Sequence, residues 1–125
     1  MTEWTRDELH KIGEADELEI TTLRRDGTPR KPVTIWVVRC GDSLYVRAGA
    51  GRESAWFRGT QDCREGRIAA GGVEQDVVFQ AADPAHYDQI DDAYRDKYLH
   101  YGEQWIEMLV APLGRSTTTR LVPRR

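Results

Sequence analysis

The sequence predicts an α+β fold built on an antiparallel sheet. Three observations carry that expectation. Six segments of strand-like composition follow one another, mostly at hairpin distance. Between them stand tight-turn pairs, notably Asp26-Gly27, Gly41-Asp42 and Gly71-Gly72. Helical segments are grouped at the start, middle and end of the chain, a pattern of strands that meet through turns. Six short strands of this kind can close into a small barrel.

Each element has its own signal. Thr5 reads as a helix N-cap, with Glu8 completing a capping box and Trp4 stapling onto Leu9. Asp7 and Glu8 suit the positive end of that helix, and Gly13 is its expected stop. Residues 18–23 alternate, placing Leu18, Ile20 and Thr22 on one face of a strand. Residues 32–39 form a long β-branched run with Val33, Ile35 and Val37 on one face and Thr34, Trp36 and Val38 on the other. Both faces are largely apolar, so this strand is expected to be central and buried on both sides.

Residues 44–47 return as a third strand, and the loop Ala48-Gly49-Ala50-Gly51 leads into a short helix over about residues 53–61, with Trp56 and Phe57 available to dock. A second hairpin spans residues 66–70 and 73–82. Asp83 caps and Pro84 opens the longest helix, along which Tyr87, Ile90, Tyr94, Tyr98 and Tyr101 recur at helical spacing. Gly102 breaks it, and Trp105, Ile106, Met108 and Leu109 suggest a further helical turn or loop that ends at Pro112-Leu113-Gly114. Residues 117–122 are the last strand, rich in threonine. There is no repeat, linker or low-complexity segment, so residues 1–125 are expected to form one domain.

Composition narrows the function. An apolar share of 39% and a charged share of 31% describe a soluble globular chain. No apolar run approaches the ~18 residues of a membrane helix, so no membrane partner is expected. The opening residues are acidic and polar, without the basic and apolar regions of a secretory signal, which points to a cytoplasmic protein. Cys40 and Cys63 share no metal or redox spacing, and His10, His86 and His100 are scattered, so no metal site is expected.

The net charge of −3 hides a gradient: residues 24–67 carry ten basic side chains against five acidic ones. The acidic remainder and the lack of a compact basic run disfavour nucleic-acid binding. Within the basic stretch, Arg47, Arg52 and Arg58 flank a loop containing Gly51, an arrangement suited to an anion or phosphate. On residue types alone the same arginines read more readily as solvated partners of Glu53, Asp62 or Glu65. Arg30 and Lys31, at a strand entry, are auxiliary candidates of the same double character.

Several of these pieces resemble the flavin-binding split β-barrels, in particular the deazaflavin-dependent nitroreductase-like branch. They are Asp26-Gly27, Arg30-Lys31-Pro32, Gly41-Asp42, Tyr45-Val46, residues 49–51 and Trp56-Phe57. The whole chain more closely resembles the family catalogued as domain of unknown function 2255. There the carriers are Thr34-Ile35-Trp36-Val37-Val38, Gly51-Arg52, Trp56-Phe57-Arg58-Gly59, Gly71-Gly72-Val73 and Leu121-Val122-Pro123.

The resemblance implies a six-stranded antiparallel split β-barrel with flanking helices that binds FMN or a deazaflavin (coenzyme F-420). Arg47, Gly51, Arg52 and Arg58, helped by Arg30 and Lys31, would hold the phosphate end, Thr34 and Trp36 would wall the ring, and Trp56 is a further cofactor-binding candidate; Trp36 reads also as core or interface packing. Tyr94, Tyr98 and Tyr101 read either as a core stripe or as the wall of a substrate pocket with a proton donor. The implied function is a small redox protein passing hydride to an unidentified small molecule. Arg58-Gly59 stands where the nitroreductase-like branch has Asn-Leu. That departure favours the alternative of a non-redox module for an anionic or aromatic small molecule. Edge strands and an excess of aromatic residues suggest a third reading, a structural homodimer.

Overall fold

The computed structural model describes residues 3–125. Seven strands form one antiparallel sheet: β1 (Leu18–Thr22), β2 (Val33–Ile35), β3 (Val38–Cys40), β4 (Ser43–Val46), β5 (Glu65–Ala70), β6 (Val73–Ala81) and β7 (Thr119–Pro123). Their order across the sheet is β2-β1-β5-β6-β7-β4-β3. The helices are α1 (Arg6–Glu14), α2 (Ala55–Asp62), α3 (Tyr87–Tyr98), α4 (Glu103–Val110) and α5 (Pro112–Arg115).

The strand order dictates the shape. β2 and β3 lie at opposite ends of the sheet, yet only Trp36 and Val37 separate them in the chain. A connection of that length reaches only about 10 Å. The sheet must therefore curl until its two edges nearly meet, which makes it a split barrel.

The run over residues 32–39 is thus two edge strands, not the single central strand its alternation suggests, and the count rises from six strands to seven. Val33 and Thr34 are exposed, and Ile35 and Trp36 only half-buried. The break has a physical cause at Val37. Its N–H donates to the Tyr98 hydroxyl (3.2 Å), and its carbonyl accepts from Lys97 Nζ (2.7 Å). Side chains of α3 satisfy this backbone in place of a neighbouring strand. The Tyr98 hydroxyl faces two carbonyls with its one proton, that of Asp16 (2.7 Å) and that of Val37 (3.0 Å).

The turns and caps follow the sequence closely. Cys40 pairs with Ser43 across Gly41-Asp42, where Gly41 has φ +60°. Ala70 pairs with Val73 across Gly71 (φ +58°) and Gly72 (φ +84°), the left-handed pair a two-residue hairpin needs. Both bonds of the capping box form between Thr5 and Glu8, at 2.9 and 3.1 Å. Trp4 is buried, and its indole N–H donates to the Leu121 carbonyl of β7 (2.9 Å), so α1 is pinned to the sheet at its start. Gly13 does not end α1, which runs on to Glu14. It is small because the Arg39 side chain lies against it, 3.3 Å from where a Cβ would stand.

Two apolar clusters result. Leu9 and Ile12 of α1 and Trp56 and Phe57 of α2 pack with inward residues of the sheet such as Ile20, Leu44, Val77 and Leu121. Ile90, Tyr94 and Tyr98 of α3 and Ile106 and Leu109 of α4 pack on Val38 and Tyr45, the other face of β3 and β4.

Candidate functional site

A cavity of about 250 Å³ opens beside β2, at the split. It is lined by Thr34, Ile35, Trp36, Arg47, Gly49, Trp56, Trp105, Met108 and Leu109, and so gathers three of the chain's four tryptophans. β2 pairs only with β1, so its outer edge presents backbone N–H and C=O groups that no strand takes up.

Each wall is set by local structure. Trp36 follows β2 directly, and its ring lies parallel on Tyr98, 4.1 Å away at an interplanar angle of 1°. Trp56 projects from α2, buried and edge-on to Phe57 (6.2 Å, 82°). Trp105 and Met108 stand one turn apart on α4, 51% and 45% exposed, and form the open side. Gly102, at φ +126°, makes the corner that lets α4 fold back over the site. Gly49 gives room to Met108, whose Cε would lie 3.4 Å from an added Cβ.

Arg47 is enclosed, its side chain 0% exposed. Nε donates to Thr118 Oγ1 (2.8 Å), Nη1 to the Asp91 carboxylate and the Leu109 carbonyl (3.1 Å), and Nη2 to the Tyr87 carbonyl (3.3 Å). Asp91 is gripped from its other side by Arg115 through Nε (3.0 Å) and Nη2. The guanidinium expected on a flexible phosphate loop instead ties α3, α4 and Thr118, the residue before β7, together. Burial with a carboxylate is what makes this arginine tolerable inside.

The other predicted anion ligands do not converge on one point. Arg52 is exposed, donates to the Ser116 carbonyl (3.2 Å) and lies over Phe57 (5.3 Å). Gly51, at φ +82°, is buried against the Leu113 side chain, so its glycine serves packing. Arg30 and Arg58 do share a site, lining with Ala55, Gly59 and Asp62 a separate depression of about 190 Å³. Arg30 is held there by the Leu23 carbonyl (2.7 Å) and Asp62 (3.3 Å), and Arg25 reaches the same carboxylate (3.6 Å). Lys31 is exposed at the entry to β2.

The tyrosines are placed differently from a pocket wall. Tyr94 and Tyr98 are fully buried in the cluster under α3, and neither lines the cavity. Burial pushes both hydroxyls well above the ordinary phenol range. The Tyr94 hydroxyl completes no hydrogen bond among the described residues. Tyr101 is 46% exposed, lies 5.6 Å from Trp36 and donates to Asp16 Oδ2 (2.7 Å), a bond that also raises its pKa. Lys97 is lowered to about 8 because burial disfavours its charge, with Asp16 and Glu14 opposing.

Ile35, Gly49, Trp105, Met108 and Leu109 are cavity residues that the sequence reading did not single out. The i, i+3, i+4 spacing of Trp105, Met108 and Leu109 was the available signal, since it puts one aromatic and two flexible apolar side chains on one helix face. A larger groove of about 380 Å³ lies between α1, β3 and α3, but its lining mixes Glu14, Arg39, Asp96 and Lys97 and contains none of the predicted residues. Among the described residues no cluster of His, Cys, Asp and Glu could hold a metal ion, and no helix is long and apolar enough to cross a membrane.

The fold recurs in solved structures of low sequence identity. HutZ, the heme storage protein from Vibrio cholerae, superposes with a TM-score of 0.67 at 13% identity, covering 93% of this chain and 87% of that one. An F-420-H2 dependent reductase (FDR-A) gives 0.63 at 14%, covering 86% and 93%. An FAD-binding protein from Mesorhizobium loti gives 0.59 at 14%, covering 98% and 91%. At these identities the likeness is one of fold, and it agrees with the α+β split barrel derived above. No curated protein matches the chain. The profile of the family described as "Uncharacterized protein conserved in bacteria (DUF2255)" matches residues 8–121, nearly the full length, and the chain belongs to that family.

Proposed function

We propose that the tryptophan-lined cavity binds the ring system of a flavin-type cofactor, FMN or a deazaflavin (coenzyme F-420). The protein would then be a small redox enzyme acting on a small-molecule substrate. One observation carries the reading: three indoles and a thioether line one cavity together with Thr34 and Ile35 of β2, a strand that pairs on one side only. Indole faces suit a flat aromatic ring, and free edge amides and carbonyls suit its heteroatoms.

The size is informative. At about 250 Å³ the cavity falls just short of the ~300–1,000 Å³ typical of sites that enclose a whole ligand. It takes a ring and leaves a phosphorylated tail outside. The cationic candidates for that tail are Arg30 and Arg58, which line one depression, with Arg52 and Lys31 as further exposed bases. The bound group would supply hydride chemistry. The chain's part is to sandwich the ring between Trp36 and Trp56, cover it with Trp105 and Met108, and keep water from its face. An FAD-binding protein and an F-420-H2 dependent reductase share the fold, which supports the cofactor class.

Exposed Trp105 and Met108, which line the cavity with Thr34 and Ile35 of β2, support a homodimer in which a second copy covers the open side. A domain-swapped dimer among the structures of this fold is in keeping with it. Light scattering reads this part directly, and a strictly monomeric mass removes it.

The cofactor test is a titration of FMN and of coenzyme F-420, each followed by tryptophan fluorescence and visible absorbance. Binding at micromolar concentration is expected, and Trp36→Ala should weaken it by about tenfold, the equivalent of ~1.4 kcal/mol. No response to either compound overturns the reading. The enclosure of Arg47, which removes one expected phosphate ligand, favours the non-redox alternative. Equal affinity for a redox-inert aromatic anion would decide in its favour.

A further inference from the structure

The tyrosines predicted for a substrate pocket instead form a contiguous set of rings with Trp36. Trp36 lies 4.1 Å from Tyr98 and 5.6 Å from Tyr101, centroid to centroid. Trp36 lines the cavity, while Tyr101 is 46% exposed at the surface. Rings at such separations exchange an electron readily, so the chemistry that matters is where a proton can go. A phenol gives up an electron easily only if a base takes its proton in the same event.

Here the two tyrosines differ. The Tyr98 hydroxyl faces the backbone carbonyls of Asp16 and Val37, which are poor bases. The Tyr101 hydroxyl donates at 2.7 Å to Asp16 Oδ2, a carboxylate. The raised pKa of Tyr101 keeps that proton on the phenol at rest.

We propose that Trp36 and Tyr101 form a one-electron relay that carries oxidising equivalents from the cavity to the surface, with Asp16 as the proton acceptor. This deepens the reading that the cavity holds a redox-active ring. The oxidant is by class a one-electron acceptor at the cavity, such as a photo-excited flavin. Trp36 gives it one electron and becomes a radical cation, stabilised by the parallel Tyr98 ring. Tyr101 returns one electron to Trp36, restoring it, and its phenolic proton crosses to Asp16. The products are a neutral tyrosyl radical at Tyr101 and a neutral carboxyl at Asp16. A soluble thiol then gives the Tyr101 radical one hydrogen atom and leaves as a thiyl radical, while Asp16 releases its proton to water and is ionised again. The relay would spare the cavity from damage by stray one-electron oxidation.

The experiment needs no bound cofactor. A ruthenium(III) polypyridyl complex, generated by a laser flash, oxidises the full-length protein, with Trp105→Phe as background to remove the most exposed indole. Transient absorbance and electron paramagnetic resonance should show a tryptophan radical replaced by a tyrosyl radical. Tyr101→Phe should leave the tryptophan radical long-lived, Asp16→Asn should slow its decay about tenfold or more, and Tyr98→Phe should keep the tyrosyl product. A tyrosyl signal that survives Tyr101→Phe, or that forms at full rate in Asp16→Asn or Trp36→Phe, overturns the relay. The flash contains no flavin and the titration above requires no light, so failure of one is separable from failure of the other.

Discussion

Replacing Asp91 by Asn tests the account of the interior most directly. Asp91 is 2% exposed and sits between Arg47, wholly enclosed, and Arg115, whose side chain is 34% exposed. Asparagine keeps the size and removes the charge, leaving the Arg47 guanidinium buried with only neutral partners. Breaking a buried pair in this way costs about 3–5 kcal/mol. A domain of 125 residues is worth about 6–19 kcal/mol in total, so the loss is a large share of it. Urea unfolding followed by far-ultraviolet circular dichroism should show the midpoint fall by about 1–3 M with the slope unchanged. A loss below ~1 kcal/mol, the range of an exposed pair, would refute the reasoning. Two controls sharpen it. Arg115→Ala should cost clearly less than Asp91→Asn, and joint Arg47→Met with Asp91→Leu should recover most of the loss, because apolar side chains there need no counter-ion.

Two further predictions concern the ends of α1. Arg125 holds the Glu8 carboxyl down to about 2, from an ordinary 4.5, with the Thr5 backbone assisting and burial opposing. A depressed carboxylate contributes stability above its unfolded pKa and loses it as pH falls from about 4.5 towards 2. Glu8→Gln should therefore cost about 1–2 kcal/mol near neutrality, allowing for partial exposure of the pair, and should flatten the thermal midpoint between those pH values. An acid slope identical to that of the parent would contradict the assignment. At the other end, Gly71→Ala would drive a Cβ into the Lys11 carbonyl at a φ of +58°, whereas Gly72→Ala meets open space. The first should lose about 1–3 kcal/mol and the second less by thermal unfolding. Equal losses would mean that α1 moves aside.

What was legible in the sequence was what depends on near neighbours. The capping box at Thr5 and Glu8, the glycine turns at residues 41 and 71–72, and the tyrosine stripe of α3 are all settled within a few residues. The misreadings share the opposite property. Residues 32–39 alternate like one buried strand, and the groups that break the run at Val37 belong to Lys97 and Tyr98, some sixty positions away. Arg47 looks like a loop cation until Asp91 and Thr118 close around it. The same holds for the cavity: Thr34, Trp36 and Trp56 line it together, but α4, which completes it, reads in the sequence only as a further helical turn or loop after Gly102. Its orientation depends on φ at one glycine and on the Arg47 bond to the Leu109 carbonyl, neither of which has a local signature.

The two-residue joint at Trp36-Val37 bears on how the protein survives in a crowded solution. An open sheet exposes two long edges that can recruit other chains into aggregates. Here both edges are strands of three residues, and they are placed side by side by the shortest of links. Each is too brief to template a foreign strand, and neither can swing away to meet one. The cavity lies along β2, and a flat ring lodged in it would blunt that edge as well.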